Sequence, residues 1–210
     1  MTTKRFWLAA AIAVLALGAL IAGCGNDSSD DKPASSSTDV KFINEMTPHH
    51  RSAIEMAQIA KAKAEHDEVR QLAVGIISAQ SSEIAQMAGI LKGLNPGQST
   101  VGADDGAMTA EMSPAELREL RTAKPFDAMF IEMMIPHHQD AIDMSRAVLE
   151  QGSNAQVKAL ARRIISAQSS EIRTMTNWYR SWYGKAPPVG SGGHETEEPS
   201  DQEQGSDHSS

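Results

Sequence analysis

Apolar residues between positions 39 and 185 recur three and four apart, as in Val69, Leu72 and Ile76, or Val157, Leu160 and Ile164. That spacing runs a stripe down one side of an α-helix, and no strand-like alternation competes with it. Asp39 predicts the cap of a first helix reaching about Glu65. Asp67 predicts the cap of a second, from Glu68 to about Leu94, which Asn95-Pro96-Gly97 stops. Ser113-Pro114-Ala115-Glu116 has the layout of a capping box and predicts a short helix to about Arg121. Asp127 repeats the role of Asp39 and opens a third long helix ending near Gln151-Gly152. Ser153 or Asn154 opens the fourth, to about Tyr183.

This pattern is written twice. Phe42-Ile43-Asn44-Glu45-Met46-Thr47-Pro48-His49-His50 returns 88 residues later as Phe130-Ile131-Glu132-Met133-Met134-Ile135-Pro136-His137-His138. Residues 76–84 and 164–172 both read IISAQSSEI, at the same offset. Each half is a helix hairpin, which alone leaves its apolar stripe wet, so the two must pack together. The expected fold is all-α: an antiparallel four-helix bundle of two duplicated hairpins, 39–94 and 127–183, with the short extra helix in the connection 95–126. The expected core is Phe42, Ile54, Val69, Leu72, Ile76, Ile84, Leu91, Phe130, Ile142, Val157, Leu160, Ile164, Ile172 and Trp178. Pro48 and Pro136 each remove a helix donor. Either Thr47 caps a helix starting at Pro48, or the helix starts at Asp39 and kinks at the proline, aiming the histidines.

On a helix, Met46, His49, His50, Ala53 and Met56 share a face, as do Met134, His137, His138, Ala141 and Met144. On the other helix of each hairpin, Gln80, Glu83 and Met87 share a face, as do Gln168, Glu171 and Met175. Methionine stripes usually mean packing. Duplicated histidine pairs flanked by methionine at matching places instead point to a metal. Glu83 and Glu171 are ligands, or acceptors that orient an imidazole, while Gln80 and Gln168 serve as hydrogen-bonding groups. Thioether with imidazole and no thiolate favours Cu(I), with Ag(I) as its analogue. Zinc gains little from methionine, and a di-iron site wants Glu-x-x-His, which the chain lacks; neither zinc nor iron is eliminated. Met108 and Met112 in the connection are candidate accessory contacts for a soft ion.

The ends of the chain change the setting. Lys4 and Arg5 precede an apolar run, residues 6–21, and Ile21-Ala22-Gly23-Cys24 reads as a lipobox. Residues 1–23 are thus a signal peptide, and Cys24, the single cysteine, is a lipidation site that anchors the chain to a membrane. Residues 24–38 form a Ser/Asp-rich disordered tether, and residues 186–210 a disordered tail whose six acids face no Lys or Arg. His194 and His208 there read as part of a solvated tail. The tail accounts for most of the net charge of −8, a balance that argues against nucleic acid as partner. No protein partner is named by the sequence.

The assembled residues resemble the family called domain of unknown function 305, in Phe130, Met134, His137-His138, Met144, Gln168, Glu171-Ile172, Met175 and Trp178. The first copy supplies Phe42, Met46, His49-His50, Met56, Gln80, Glu83-Ile84 and Met87, with Ile90 in place of the tryptophan. The resemblance implies a ferritin-like bundle in exported, often lipid-anchored bacterial proteins, some associated with copper binding and tolerance.

Three functions fit these readings. The favoured one is a lipid-anchored protein on the extracytoplasmic face of the cell membrane that captures, stores or hands over Cu(I) or Ag(I). Its retention of metal is expected to fall as pH drops through the histidine range. The second is a metal-dependent redox enzyme of the envelope, for which no nucleophile–base arrangement or cofactor fingerprint speaks. The third is an envelope interaction module with structural histidines.

Overall fold

A computed structural model describes residues 34–94 and 112–188. Cys24, the segment before it, Met108 and the acidic tail lie outside the described residues. The described part is helical throughout: α1 (Ala34–Lys63), α2 (Asp67–Leu94), α3 (Pro114–Thr122), α4 (Phe126–Gln151) and α5 (Ala155–Tyr183). Each hairpin packs on itself, α1 against α2 and α4 against α5. The two are joined chiefly through α1 on α4, with α2 touching α5 and α3 resting on α1 and α4. Among the described residues no helix is long and apolar enough to cross a membrane.

The helix ends show how the halves are locked together. α1 begins at Ala34, so residues 34–38, expected in the tether, are helical and Asp39 lies inside the helix. Its buried carboxylate accepts the backbone N–H of Ser153 at 3.0 Å and of Asn154 at 2.8 Å, in the turn between α4 and α5. Asp127, 88 residues on and also fully buried, accepts the N–H of Glu65 at 3.0 Å and of His66 at 2.8 Å, between α1 and α2. The imidazole of His66 adds a third contact to Asp127, through Nδ1 at 2.7 Å. The sequence reading gave each aspartate to its own helix; instead each caps the turn of the opposite hairpin. Bare N–H groups occur where a helix starts, and antiparallel packing sets the start of α1 beside the turn that precedes α5. Close approach explains Gly152: a Cβ there would sit 2.5 Å from Asp39 Oδ1 and 2.7 Å from the carbonyl of Val148.

The remaining caps follow local chemistry. Asp67 lies within the first turn of α2, not before it, and pairs with Arg70, while the carbonyl of His66 accepts the first helical N–H, from Arg70. Ser113 and Glu116 cap α3 reciprocally, at 3.2 and 2.7 Å. Asn154 caps α5 by accepting from Gln156 and Val157. α1 and α4 run unbroken through Pro48 and Pro136, which rules out a helix starting at Pro48. The Thr47 hydroxyl donates back to the carbonyl of Ile43 at 2.8 Å rather than capping.

The interior divides into two apolar clusters. One gathers Met56, Phe130, Ile131, Met134, Met175 and Tyr179; the other gathers Phe42, Ile43, Met46, Met87, Leu160 and Ile164, with Met144 packed against it. Burying such a side chain stabilises the fold by about 1.5–3 kcal/mol. Ile54, Leu72, Ile84, Ile172 and Trp178, expected in the core, are half-buried at the margins of the stripes.

Candidate metal centre

α1 and α4 carry the histidine pairs at mid-helix and press them together. The rings of His49 and His137 meet with centroids 3.8 Å apart, tilted by 38°. His50 and His138 flank them, each reaching the other helix of its own hairpin. His50 Nε2 lies 2.8 Å from Glu83 Oε2, and His138 Nε2 lies 2.7 Å from Glu171 Oε2. A carboxylate only accepts, so the Nε2–H donates and the lone pair sits on Nδ1. Both Nδ1 atoms are buried and without a partner. Glu83 and Glu171, at 17% and 24% side-chain exposure, thereby fix each ring and its tautomer.

His49 and His137 are left barer still, since neither Nδ1 nor Nε2 of either ring has a hydrogen-bond partner. Each such orphaned group costs about 1–3 kcal/mol. Burial, followed by the neighbouring His50 and His138, pushes His49 down to about 3. Burial, then His49, His138 and His50, holds His137 well below the usual imidazole range. Both rings are thus neutral at ordinary pH, with lone pairs open to a cation.

The methionines divide between the two apolar clusters in a way that crosses the hairpins. Met46 and Met87 come from the first hairpin, but Met144, from the second, joins their cluster. Met134 and Met175 are joined by Met56 of the first. Each trio thus draws on both hairpins, and an offset of 88 residues exchanges one trio for the other. All but Met144 are fully buried. The Thr47 hydroxyl touches Met87 Sδ at 3.8 Å. Ala53 and Ala141 are fully buried beside the histidines' own helical faces. Among the described residues no three His, Cys, Asp or Glu side chains form a group that could hold a metal ion. An open cavity of about 550 Å³ between α1 and α3, lined by Glu55, Gln58, Lys63 and Arg121, includes none of these donors.

Other expected contributors stand differently. Gln80 and Gln168 are buried as their helical faces require, and Gln80 Oε1 and both amide atoms of Gln168 have no hydrogen-bond partner. Met112 packs half-buried against the Met56 cluster, its N–H donating to Ser52 Oγ at 3.3 Å. The Tyr179–Glu132 hydrogen bond and the stacking of His66 on Trp182 at 3.7 Å were not anticipated. The one available signal was that residues 132 and 179 depart from their counterparts in the first repeat, Asn44 and Leu91.

These features define a duplicated four-helix bundle with a methionine- and histidine-lined interior. The chain belongs to the family described as Domain of unknown function (DUF305), whose model matches residues 39–179 and again 127–209. The two matches start at the equivalent residues Asp39 and Asp127. A structure of CopM in the Cu(I)-bound form is 38% identical, with TM-score 0.61, over 70% of this chain and 98% of that one. CopM in an Ag-bound form gives 38% and 0.60, over 70% and 98%. A putative secreted DUF305 protein from Streptomyces coelicolor is 27% identical with TM-score 0.65, over 74% and 99%. A sequence comparison with functionally curated proteins finds no match.

Proposed function

We propose that this protein captures Cu(I) or Ag(I) in its interior and stores it or hands it on, held by a lipidated Cys24 at the extracytoplasmic face of the cell membrane. The observation that carries this reading is the His49–His137 contact: two buried imidazoles with ring centroids 3.8 Å apart, whose ring nitrogens have no hydrogen-bond partner. A soft cation would take the one lone pair that each neutral ring offers, and thioethers select for softness. The solved CopM structures with Cu(I) and Ag support the same cargo. The lipobox supports the anchor.

Burial keeps His49 and His137 neutral far below the usual imidazole value, so proton competition at these two rings begins only in strong acid. Anaerobic purification with elemental analysis, followed by competition among copper, silver, zinc and iron, tests the assignment. Copper or silver should win, and His49, His50, His137 and His138 changed together to Ala should abolish most binding. Unchanged stoichiometry in that variant, or preference for zinc, overturns the proposal.

A further inference from the structure

The interiors of the two hairpins are copies, but the outer faces of their second helices are not. Where α2 exposes Val74, Ala85 and Lys92, α5 has Arg162, Arg173 and Arg180 at the equivalent places, all exposed. At about 100° per residue, these three arginines lie within about 20° of one line down the helix. Lys158 stands one turn before Arg162 on the same side. Among the described residues the side chains of Arg162, Arg173 and Arg180 form no hydrogen bond or ion pair. The one acid of α5, Glu171, lies on the opposite side of the helix, against His138.

Solubility does not ask for such a row. The outer face of α2 has no charged residue between Arg70 and Lys92 apart from Glu83, which is turned to His50, and it exposes Val74 at 49%. A soluble surface ordinarily intersperses both signs, as α3 does with Glu116, Arg118, Glu119 and Arg121. The outer face of α5 carries one sign only, and the stretch of chain after it carries only the other. Residues 189–210, outside the described part, hold Glu195, Glu197, Glu198, Asp201, Glu203 and Asp207, and no Lys or Arg. α5 ends at Gly184, in the left-handed region at φ 68°, one turn beyond Arg180, so these acids join the chain at one end of the row. The lengths agree: extended, residues 195–207 span about 40 Å, against about 33 Å of helix from Lys158 to Arg180.

We propose that the acidic segment 195–207 docks along the arginine row of α5. A guanidinium takes a carboxylate through paired hydrogen bonds, and a short tether holds its ligand at an effective concentration of about millimolar, ahead of any dilute competitor. The contacts are at the surface, so salt weakens them: the Debye length falls from about 30 Å at 0.01 M to about 3 Å at 1 M. While docked, the segment withholds the row from other anionic surfaces.

Two measurements test this on metal-free chain lacking only residues 1–23 and carrying Cys24→Ser, so neither depends on copper or on the anchor. In the first, a nitroxide attached at Ser206→Cys reports by NMR relaxation which backbone amides it approaches. At about 0.01 M salt, outer-face amides of α5 between residues 158 and 180 should relax several-fold faster than those around Val74 and Ala85 on α2, and at about 1 M the difference should vanish. It should vanish also when Arg162, Arg173 and Arg180 are all changed to Gln, with the melting temperature unchanged because these side chains hold nothing in the fold; the salt comparison stands without that variant. In the second, vesicles of phosphatidylglycerol and phosphatidylcholine probe the row directly. Changing the six tail acids to their amides should tighten binding several-fold, and the three Arg→Gln changes in that background should remove the gain. Equal relaxation of α2 and α5, or a pattern untouched by salt, overturns the docking. So does wild type binding the vesicles through these arginines as tightly as the amide variant, which would give the face to a membrane instead.

Discussion

His49 and His137 are the residues at which this fold leaves buried ring nitrogens unpaired. A leucine fills nearly the same space as an imidazole and has no polar atoms to leave unpaired. His49→Leu with His137→Leu should therefore stabilise the metal-free protein, by about 1–3 kcal/mol for each orphaned group relieved, while metal binding drops steeply. Urea denaturation beside metal titration measures both, and lower stability in the double variant would contradict the account. The same two rings set a pH dependence. In the folded, metal-free protein His49 takes up a proton only near pH 3, against 6.5 for an unperturbed ring, and His137 is shifted the same way. Between those values the unfolded chain binds more protons than the folded one. Stability is therefore full above about pH 6.5 and falls as acid approaches pH 3. Denaturation midpoints from about pH 7.5 to about pH 4 should show this slope, and it should largely vanish in the double leucine variant.

The helices as elements were legible because their signals are local. The three- and four-residue apolar spacing, the Ser113–Glu116 box and Asn154 act within a turn or two. What could not be read was where Asp39 and Asp127 point, since an aspartate at a helix start looks the same whether its donors lie in its own helix or across the bundle. α1 likewise starts at Ala34, five residues before the aspartate that looks like its cap. The prediction at this scale is that Asp39→Ala and Asp127→Ala each cost about 2 kcal/mol, a loss of roughly 4–8 °C in Tm. Each should raise hydrogen exchange at the far turn, residues 153 and 154 for Asp39, and residues 65 and 66 for Asp127. Exchange confined to the mutated helix's own first turn would refute cross-capping.

At the scale of the whole molecule, duplication was plain from the repeated strings. The mixing of the methionine trios was hidden, because sequence pairs Met56 with Met46 on one helical face and only antiparallel packing of α1 on α4 sends them to different clusters. It follows that neither hairpin holds a complete trio. Residues 34–94 and 112–188 produced as separate chains should be poorly helical alone. Mixed, they should gain helicity beyond the sum of the two and recover metal binding together, as circular dichroism and size-exclusion chromatography can show.

The reciprocal aspartate contacts also say how such a molecule can originate. A single ancestral hairpin bearing this aspartate carries both halves of the contact: the carboxylate and the bare turn amides that a second copy offers in return. Two identical copies about a twofold axis would close each other's ends without any new surface being invented. Fusion then needs only a linker, and once the copies share one chain they are free to diverge, as Asn44 and Leu91 against Glu132 and Tyr179 already have.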